Sequence, residues 1–475
     1  MKRFITLIVA IASLQAAAQI ADDALILSRY NYDGSARSQA MGGAFTALGS
    51  DLTNASLNPA GLGLYRSSEF GISMTGNMSK SDAMYLGVNS SSHHYRTILP
   101  NIGFAMSAPN VNKMANGEGP DSWTFAVGYN QIHTFNKSMI IEGTNATSSY
   151  LDMPLDMVND NPNSRPAFTK ADLIFYDSIN NGYSHDYLIG GYGAFQEGYI
   201  SERGGIGEYY ISGAANFSDK FYIGGTLGIQ SLHLERKFEF SETPTNDIAL
   251  NYFNMAQTLT TSGLGINAKL GVLYSPEYWV KIGLSIQTPT SFNLTDDYSE
   301  SVNAQITYDE GTYTNSFKDN PYFPDYNILT PMRINSGVSF MIMRRALLAI
   351  DYEYVDYGMA QISSEDYSFS QENADIADLY TMSHSVRVGG EYKVGLLALR
   401  AGGYYYGSPY DKGATNKDAY ILGYSGGFGI RSGSYSFDVS WSQSTEDFFY
   451  SPYTYETAEV TNKNTRITGS LGFRF

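Results

Sequence analysis

The sequence has no cysteine, so disulfide bonds, Cys-ligated zinc, iron–sulfur clusters and thiol catalysis are excluded. Basic residues are scarce as well, because 30 Lys and Arg stand against 47 Asp and Glu, for a net charge of -17. We expect no nucleic-acid partner, since phosphate backbones require a basic surface. We assign the acidic residues to solvated loops, because no Asp-rich stretch has the spacing of a calcium loop.

Long hydrophobic runs are also missing beyond the first residues. Met1, Lys2 and Arg3 precede an apolar run over residues 4–14 and the small residues 16–18, which is typical of a secretory signal peptide. We predict that residues 1–18 are removed. The alternative is a short membrane anchor, but the run is shorter than the roughly 20 residues that a spanning helix needs. No later run is long enough, so we expect no transmembrane helix.

Tyrosine, glycine and short alternating segments are abundant instead. The chain has 39 Tyr and 47 Gly, and 14% of its residues are aromatic, which favours strands, tight turns and membrane-interface girdles. From about residue 69 the segments alternate apolar and polar side chains, the period of half-buried strands. This pattern predicts about fourteen strands, near residues 69–78, 96–107, 122–137, 205–217, 220–240, 261–274, 279–292, 333–343, 345–361, 382–393, 396–408, 419–431, 434–445 and 466–475.

The connections between these segments alternate between short and long. We predict long polar links near residues 138–204, 241–259, 293–332, 361–381, 409–417 and 446–464, and a short amphipathic helix within residues 243–259. The link over residues 109–121 is longer than the tight turn expected there. Short turns at one end of the sheet and long loops at the other end are typical of outer-membrane barrels. The sequence therefore predicts an all-β fold, a transmembrane antiparallel β-barrel of about 14 strands.

Charged side chains on the predicted strands indicate which face lines the lumen. A charge that faces lipid near the midplane costs roughly 2–4 kcal/mol, so the charged face must point inward. The three arginines of this set either meet a substrate carboxylate or pair with its three acids and hold a plug in place. The set comprises Arg333, Asp351, Glu353, Arg387, Glu391 and Arg400.

The residues before the first strand supply a candidate plug. Residues 36–47 combine small and apolar side chains, and Asn58-Pro59-Ala60 follows as a turn of fixed geometry. Together with residues 99–104, 128–130 and 351–357, these stretches resemble the FadL/TodX family of outer-membrane transporters for long-chain fatty acids and hydrocarbons, in a form like that of Bacteroidetes. The resemblance implies an N-terminal hatch over residues 19–67 inside a barrel over residues 68–475. It also implies that Asn58, Pro59 and Ala60 are part of the hatch.

The resemblance further implies passive uptake of hydrophobic or amphipathic small molecules across the outer membrane, with a kink in the barrel wall as a lateral exit. The alternation of strand three breaks near Gly128 and Asn130, which marks a candidate wall kink. The break is equally consistent with a strand that has left the membrane. The alternative function is that of an outer-membrane scaffold or accessory barrel for protein secretion, as in type IX export.

Catalytic and metal-binding patterns are not convincing. Residues 423–427 fit a nucleophile-elbow pattern, but they lie within an alternating strand instead of a strand-to-helix turn. The six histidines lack metal-ligand spacing. We therefore expect no enzyme activity, no cofactor and no metal. The expected partners are a hydrophobic small molecule and outer-membrane lipid, and the expected state is a monomer.

Overall fold

The computed structural model describes residues 13–110, 119–161 and 166–475, with side chains from residue 21 onward. The first 12 residues of the predicted signal peptide lie outside the described residues, as does most of the link over residues 109–121. The first helix, α1, covers Ser13–Ser28 and so crosses the predicted cleavage position. Cleavage after about residue 18 stays a prediction.

The strands form a closed antiparallel barrel of 14 strands, which confirms the predicted fold class. Three of the 14 are each broken into two pieces: β9 with β10, β12 with β13, and β14 with β15. Pairing of β1 with β20 closes the barrel. The bounds are β1 Glu69–Tyr85, β2 Val88–Pro109, β3 Ser122–Asn145, β4 Phe175–Asp177, β5 Gly182–Ser184, β6 Ala194–Phe217, β7 Phe221–Pro244, β8 Leu250–Glu277, β9 Val280–Gln287, β10 Ser291–Tyr308, β11 Gly311–Asp319, β12 Tyr326–Leu329, β13 Arg333–Ile342, β14 Ala346–Asp356, β15 Gln361–Ser363, β16 Met382–Val394, β17 Leu397–Tyr406, β18 Ile421–Ser432, β19 Tyr435–Tyr453 and β20 Glu456–Arg474.

Short helices lie in the chain before the barrel and in the loops at one end of it. Two short helices and a 3-10 helix at Pro59–Leu64 precede β1. The loop between β3 and β6 is the longest, and it holds three helices and the small β4–β5 hairpin. The helix bounds are α2 Ala36–Ala40, α3 Asn54–Leu57, α4 Asp152–Asp160, α5 Ala167–Lys170, α6 Asp186–Gly190 and α7 Ser370–Leu379. Among the described residues, no helix is long and apolar enough to cross a membrane.

Several predicted links were wrong, because the strands continue far past the segments that show clean alternation. The predicted amphipathic helix within residues 243–259 is instead the turn after β7 and the start of β8. Residues 446–464 are the paired ends of β19 and β20, and much of 293–332 belongs to β10 and β11. A strand needs only about 9–11 residues to span a bilayer. The outer parts of these strands therefore face water on one side and lack the apolar stripe that the sequence pattern required.

Side chains divide clearly between the two faces of the wall. The outward face of the membrane-spanning part carries exposed apolar side chains, as a lipid contact requires. The six charged residues expected in the lumen are all buried: Arg333, Asp351, Glu353, Arg387, Glu391 and Arg400. Exposed members of the apolar face include Phe125, Val127, Ile211, Leu227, Ile266, Leu270, Leu284, Leu399, Leu422, Phe437 and Ile467.

Two separate apolar clusters lie inside this shell. The inner cluster joins residues of the N-terminal segment, defined here as residues 21–67, to the wall, for example Leu27 and Phe45 to Ile132 and Phe292. The outer cluster packs the loop between β3 and β6 onto the outer ends of the strands, for example Tyr150 onto Phe240. The lumen is therefore filled at two levels, and the N-terminal segment occupies the inner one.

Candidate functional site

The N-terminal segment crosses the barrel from one wall to the opposite wall. Helix α2 contacts β17, β18, β19 and β20, whereas the 3-10 helix at Pro59–Leu64 contacts β3, β6, β7 and β8. Most of its side chains are buried, including Met41, Phe45 and Leu62 at 0% exposure. These contacts on opposite strands place the segment within the lumen.

Glycines in the wall make room for this segment. A Cβ atom added at Gly389 would lie 2.3 Å from Met41 O, and one at Gly402 would lie 2.3 Å from the amide nitrogen of Gly42. Such distances are far shorter than a van der Waals contact, so a larger residue at either position would displace the segment. Ser425 holds the same turn, because it accepts a hydrogen bond from Gly42 N and donates one to Ala40 O, each at 3.1 Å.

Asn58, Pro59 and Ala60 lie on the opposite wall and are fully buried. Asn58 Nδ2 donates to Thr46 O at 2.6 Å, and Asn58 Oδ1 accepts from Ala60 N at 3.2 Å. Pro59 occupies the first position of the 3-10 helix, where its missing N–H costs nothing. A Cβ atom at Gly271 would lie 2.0 Å from Asn58 Oδ1, so this turn sits directly on the wall. Its assignment to a movable hatch stays a prediction.

Three of the predicted lumen charges form one buried group. Glu353 accepts from Arg333 at 3.1 Å and from Arg387 at 3.4 Å, and so joins β13, β14 and β16. The Arg333 guanidinium lies 3.9 Å from the ring centre of Tyr30, and Arg387 lies 5.8 Å from that of Tyr32. The group therefore holds residues 30–32 of the N-terminal segment by cation–π contact.

Of the other three lumen charges, Glu391 and Asp351 contact the segment further along, and Arg400 pairs with Glu391. Glu391 accepts from Arg400 at 2.7 Å and from Arg37 of helix α2 at 3.4 Å. Asp351 accepts from the backbone N–H of Thr46 at 2.7 Å. All six predicted lumen charges are thus paired or hydrogen-bonded within the protein, next to the N-terminal segment. Direct binding of a ligand by these six residues stays a prediction.

The wall is not continuously paired between β2 and β3. Their backbone ladder runs from Pro109↔Ser122 to Asn101↔Asn130 and stops there. Both strands continue to the outer end without pairing to each other, and we call this unpaired stretch the seam. Pro100 follows on β2 and has no N–H to donate. On β3, the register with β6 shifts between Gln131 and His133. Of the candidate kink residues, Asn130 is the last position of β3 that pairs with β2, and Gly128 lies two positions before it. Their role in an exit stays a prediction.

The N-terminal segment takes the place of β2 beside the free edge of β3. Asn31 N donates to Ile132 O at 3.0 Å, and Asp33 N donates to Gln131 O at 3.2 Å. Thr134 donates to the Asp33 carboxylate at 2.7 Å. Residues 31–33, which we call the strap, therefore satisfy part of the β3 edge that β2 leaves unpaired.

Side chains bridge the remainder of the seam. Ser92 of β2 donates to Ser138 O at 2.6 Å, and Arg96 donates to Phe135 O at 3.2 Å. Side-chain bonds of this kind can be replaced by water one at a time, unlike a cooperative backbone ladder. Among the unbroken neighbouring strands of the described residues, β2 and β3 leave the longest stretch without a shared backbone ladder.

A polar chain links the base of the seam to the N-terminal segment. Asn101 donates to Asn130, whose Nδ2 donates to Ser56 Oγ at 2.8 Å. Ser56 in turn donates to Glu208 at 2.7 Å, and Glu208 pairs with the buried Lys269. A displacement of Ser56 would leave the Asn130 amide and the Glu208 carboxylate each short of a partner.

Sequence reasoning missed Ser56, Asn101, Glu208, Lys269 and the strap. Pro100 was one available signal, because a proline within a strand pattern predicts an interrupted ladder. The strap carried no signal of its own, since its role depends on the distant edge of β3. Among the described residues, no group of three or more acidic, histidine or cysteine side chains is arranged to hold a metal ion.

Comparison with solved structures identifies the fold. The chain is similar to the Pseudomonas putida toluene transporter TodX, with 13% identity, 93% of this chain and 98% of that chain covered, and a TM-score of 0.53. A Pseudomonas aeruginosa FadL homologue gives 9% identity, 93% and 98% coverage, and a TM-score of 0.53. The Ralstonia pickettii toluene transporter TbuX gives 13% identity, 94% and 99% coverage, and a TM-score of 0.50. No family model matches the chain, and no curated protein sequence does.

Proposed function

We propose that this chain, which has the fold of TodX and of a FadL homologue, is an outer-membrane channel for the passive uptake of hydrophobic or amphipathic small molecules. The proposal includes a monomer in the bacterial outer membrane, an N-terminal hatch over residues 19–67, and no enzymatic activity. The solved neighbours named as toluene transporters support the class of cargo. The barrel with an apolar outer band supports the location.

The observation that carries this proposal is the unpaired seam beside the inner apolar cluster. Ile132 and Phe135 of β3 are at 0% and 3% exposure, and they belong to the same cluster as Leu27 and Phe45 of the N-terminal segment. An apolar molecule in the lumen would therefore meet apolar side chains directly behind the unpaired stretch of the wall. Exit through this join would lead into lipid, which an apolar molecule prefers to water.

The N-terminal segment would control this path. The strap bonds to the free edge of β3, and the polar chain through Ser56 bonds to its last paired residue. A shift of the segment by one residue would break both sets of bonds together. We infer that the hatch opens by releasing the seam, while Glu391 and Asp351 keep the later part of the segment anchored through Arg37 and Thr46.

The test is uptake of radiolabelled toluene and oleate by cells whose outer membrane carries the protein. The controls are cells with the empty vector, and a hydrophilic solute of similar size in the same cells. We expect uptake of both apolar compounds to rise several-fold and uptake of the hydrophilic solute to stay at the vector level. Equal uptake with and without the protein, together with a co-purifying protein partner, would instead favour the secretion-scaffold function.

A further inference from the structure

The outer part of β2 lies over the outward face of β3 at the seam. On β3, Phe135 and Met139 belong to the apolar clusters inside the barrel, so Asn136 and Ser138, which alternate with them, face outward. Ser138 Oγ nevertheless lies 3.3 Å from Ser92 Oγ of β2, and Asn136 is only 5% exposed. Side chains on the outward face of β3 are therefore covered by β2.

Two arginines flank Asn136 on this outward face. Arg203 of β6 lies directly opposite Asn136 in the β3–β6 register, and opposite residues of an antiparallel pair point to the same face. Arg96 of β2 donates to Phe135 O at 3.2 Å and to Gly204 O at 2.6 Å, so its guanidinium lies beside the backbone neighbours of both residues. We call Arg96, Asn136 and Arg203 the outer basic site.

The acidic residues that adjoin Arg203 are paired with other cations. Glu235 lies opposite Arg203 in the β6–β7 register and pairs with Lys237 at 3.1 Å. Glu202 precedes Arg203 in the chain and pairs with Arg236 at 3.2 Å. The positive charge of the outer basic site is therefore uncompensated, on a protein whose net charge is -17.

The outer basic site also holds hydrogen-bonding groups that the protein does not use. The Nδ2 and Oδ1 atoms of Asn136 are both buried, and neither has a hydrogen-bond partner. A buried amide without partners is destabilising, so an acceptor placed at Nδ2 would be favourable. Burial, and then the charges of Arg203 and Arg96, lower the pKa of His94, which lies further out on β2. An anion in the site would relieve both the unpaired amide and the repulsion between these cations.

The outer basic site lies just beyond the apolar band of the barrel, on the side of the long loops. Asn136 lies beyond the roughly 9–11 residues that span the membrane from Ser122, the inner end of β3. Along β3 and β6, the rings of Tyr129 and Tyr209, with centres 5.2 Å apart, come before the pair of Asn136 and Arg203. Aromatic girdles mark the membrane interface of outer-membrane barrels. The site is therefore at the height of the headgroups of the outer leaflet.

We propose that the outer basic site binds a phosphate group of lipopolysaccharide, the lipid of the outer leaflet, and that this phosphate ties β2 to β3 and β6 across the seam. The inference rests on the outer-membrane location in the proposed function, and it does not depend on what passes through the barrel. Arginine suits this role, because its planar guanidinium donates two N–H groups to two phosphate oxygens at once.

A lipid phosphate fits the position of the site better than a free phosphate ion does. The outward side chains on β3 and β6 that lie towards the membrane from the site are apolar and exposed, so acyl chains attached to the bound headgroup would pack against them. They include Phe125, Val127 and Ile211.

The test is native mass spectrometry of the full-length protein in detergent, titrated with diphosphoryl lipid A or with a synthetic lipid A of the same acyl chains that lacks both phosphates. We expect the wild type to bind the diphosphoryl form at least tenfold more tightly. Arg203→Gln should lower this preference at least threefold. Arg344→Gln removes the same charge from the turn between β13 and β14, at the other end of the barrel, and should keep the wild-type preference.

Asn136→Leu separates binding from folding. Leucine is close to asparagine in size and removes a buried amide that has no partner within the protein, so the variant should melt at or above the wild-type temperature. We expect its preference for diphosphoryl lipid A to fall several-fold all the same, which a folding defect cannot explain.

Three results would overturn the inference. Equal binding of the two forms of lipid A by the wild type would show that phosphate is not recognised. Displacement of lipid A by an equal concentration of inorganic phosphate would indicate a site for free anions. Equally tight binding of phosphatidylglycerol would indicate a site for anionic lipids in general.

The lipid assay and the uptake assay fail independently. Loss of the phosphate preference with normal uptake of toluene would remove the outer basic site and leave the channel function intact. Phosphate-dependent binding of lipid A without uptake of toluene would contradict the channel function and support the site.

Discussion

The junction between β1 and β20, which we call the closed seam, lies close to the seam between β2 and β3, which we call the open seam. The two are built differently. The first is paired from Glu69↔Arg474 to Met84↔Glu459, over nearly the full length of both strands. The second loses its ladder above Asn101↔Asn130. The barrel is therefore closed by backbone where the chain ends meet, and by side chains and the N-terminal segment where the proposed exit lies.

A barrel therefore tolerates an unpaired seam when another part of the chain satisfies the free edge. On the closed seam, hydroxyl groups add to the ladder, as in the Ser73–Ser470 contact at 2.6 Å. On the open seam, the strap supplies two backbone N–H groups to β3. The closed seam is held by its own backbone ladder, whereas the open seam depends on the position of the N-terminal segment.

A disulfide across each seam tests this comparison most directly, since the natural chain has no cysteine. The hydroxyl oxygens of Ser92 and Ser138 lie 3.3 Å apart across the open seam, close enough for a disulfide after substitution by cysteine. We expect oxidised Ser92→Cys/Ser138→Cys to lower uptake at least tenfold, and dithiothreitol to restore it. The assay is uptake of radiolabelled toluene by intact cells.

The matched control is Ser73→Cys/Ser470→Cys, which places a disulfide across the closed seam, where the oxygens lie 2.6 Å apart. Its oxidised form should transport as well as its reduced form. An equal loss in both oxidised variants would show a general effect of cross-linking, and no loss in the Ser92/Ser138 pair would remove the seam as the exit.

A glycine pair on β7 and β8 tests the fit of the N-terminal segment against the wall. Gly271→Ala would place a Cβ atom 2.0 Å from Asn58 Oδ1, whereas the nearest atom to a Cβ at Gly225 is Leu270 Cδ2 at 3.5 Å. Overpacking of this kind costs roughly 1–3 kcal/mol. We expect Gly271→Ala to speed trypsin cleavage after Arg37 several-fold in the detergent-purified protein.

Gly225→Ala should be cleaved at the wild-type rate, because its added methyl group meets only an ordinary contact. Equal rates in the wild type and in both variants would mean that the turn at Asn58 yields to the wall without displacing the segment, so the hatch would not depend on this fit.

Glu242 anchors the loop between β3 and β6, and its titration provides a test of that anchor. It lies near the outer end of β7, well beyond the roughly 9–11 residues that span the membrane from the turn at Phe221. It accepts hydrogen bonds from Ser149 Oγ at 2.6 Å and Tyr150 N at 2.7 Å. Burial raises the pKa of Glu242 from 4.5 to about 7.

A raised carboxyl pKa means that the folded loop favours the protonated acid. Stability is therefore greatest below pH 4.5 and falls as the pH rises towards 7, by on the order of 3 kcal/mol. We expect hydrogen exchange in residues 149–152, corrected for its intrinsic rate, to be faster at pH 8 than at pH 5. Glu242→Gln should abolish this difference and the surface control Glu239→Gln should keep it, whereas a difference that persists in Glu242→Gln would assign the effect to another group.

Much of the fold was predictable, because side-chain alternation and charge both report on a wall between lipid and lumen. The pattern at Val386, Arg387 and Val388 identified the inner face of β16, and the structure buries Arg387. Side-chain alternation did not predict the parts of the strands that extend beyond the membrane. Leu250 and Phe253 suggested a helix, but there the strand is exposed on one side to water and on the other to a packed loop.

The interior was less predictable, since its contacts join residues far apart in the chain. Asn58 was identified through its motif, but its partner Val272 and the facing Gly271 could not be. The lumen charges were identified as a set, whereas their pairing, with Glu353 between Arg333 and Arg387, depends on strand register. Register is set by the whole sheet and not by any one strand.

The all-β class, the inward-facing charges and the turn at Asn58 follow from the amino-acid sequence, because each depends on local periodicity or on a short motif. The position of the unpaired stretch of the wall, and the segment that covers it, depend on the tertiary structure. These features arise from the meeting of distant segments, such as Asn31 with Ile132 and Arg466 with Asp33. The backbone of β3 can bond to β2 or to the strap with similar chemistry, and only packing in the closed barrel selects between them.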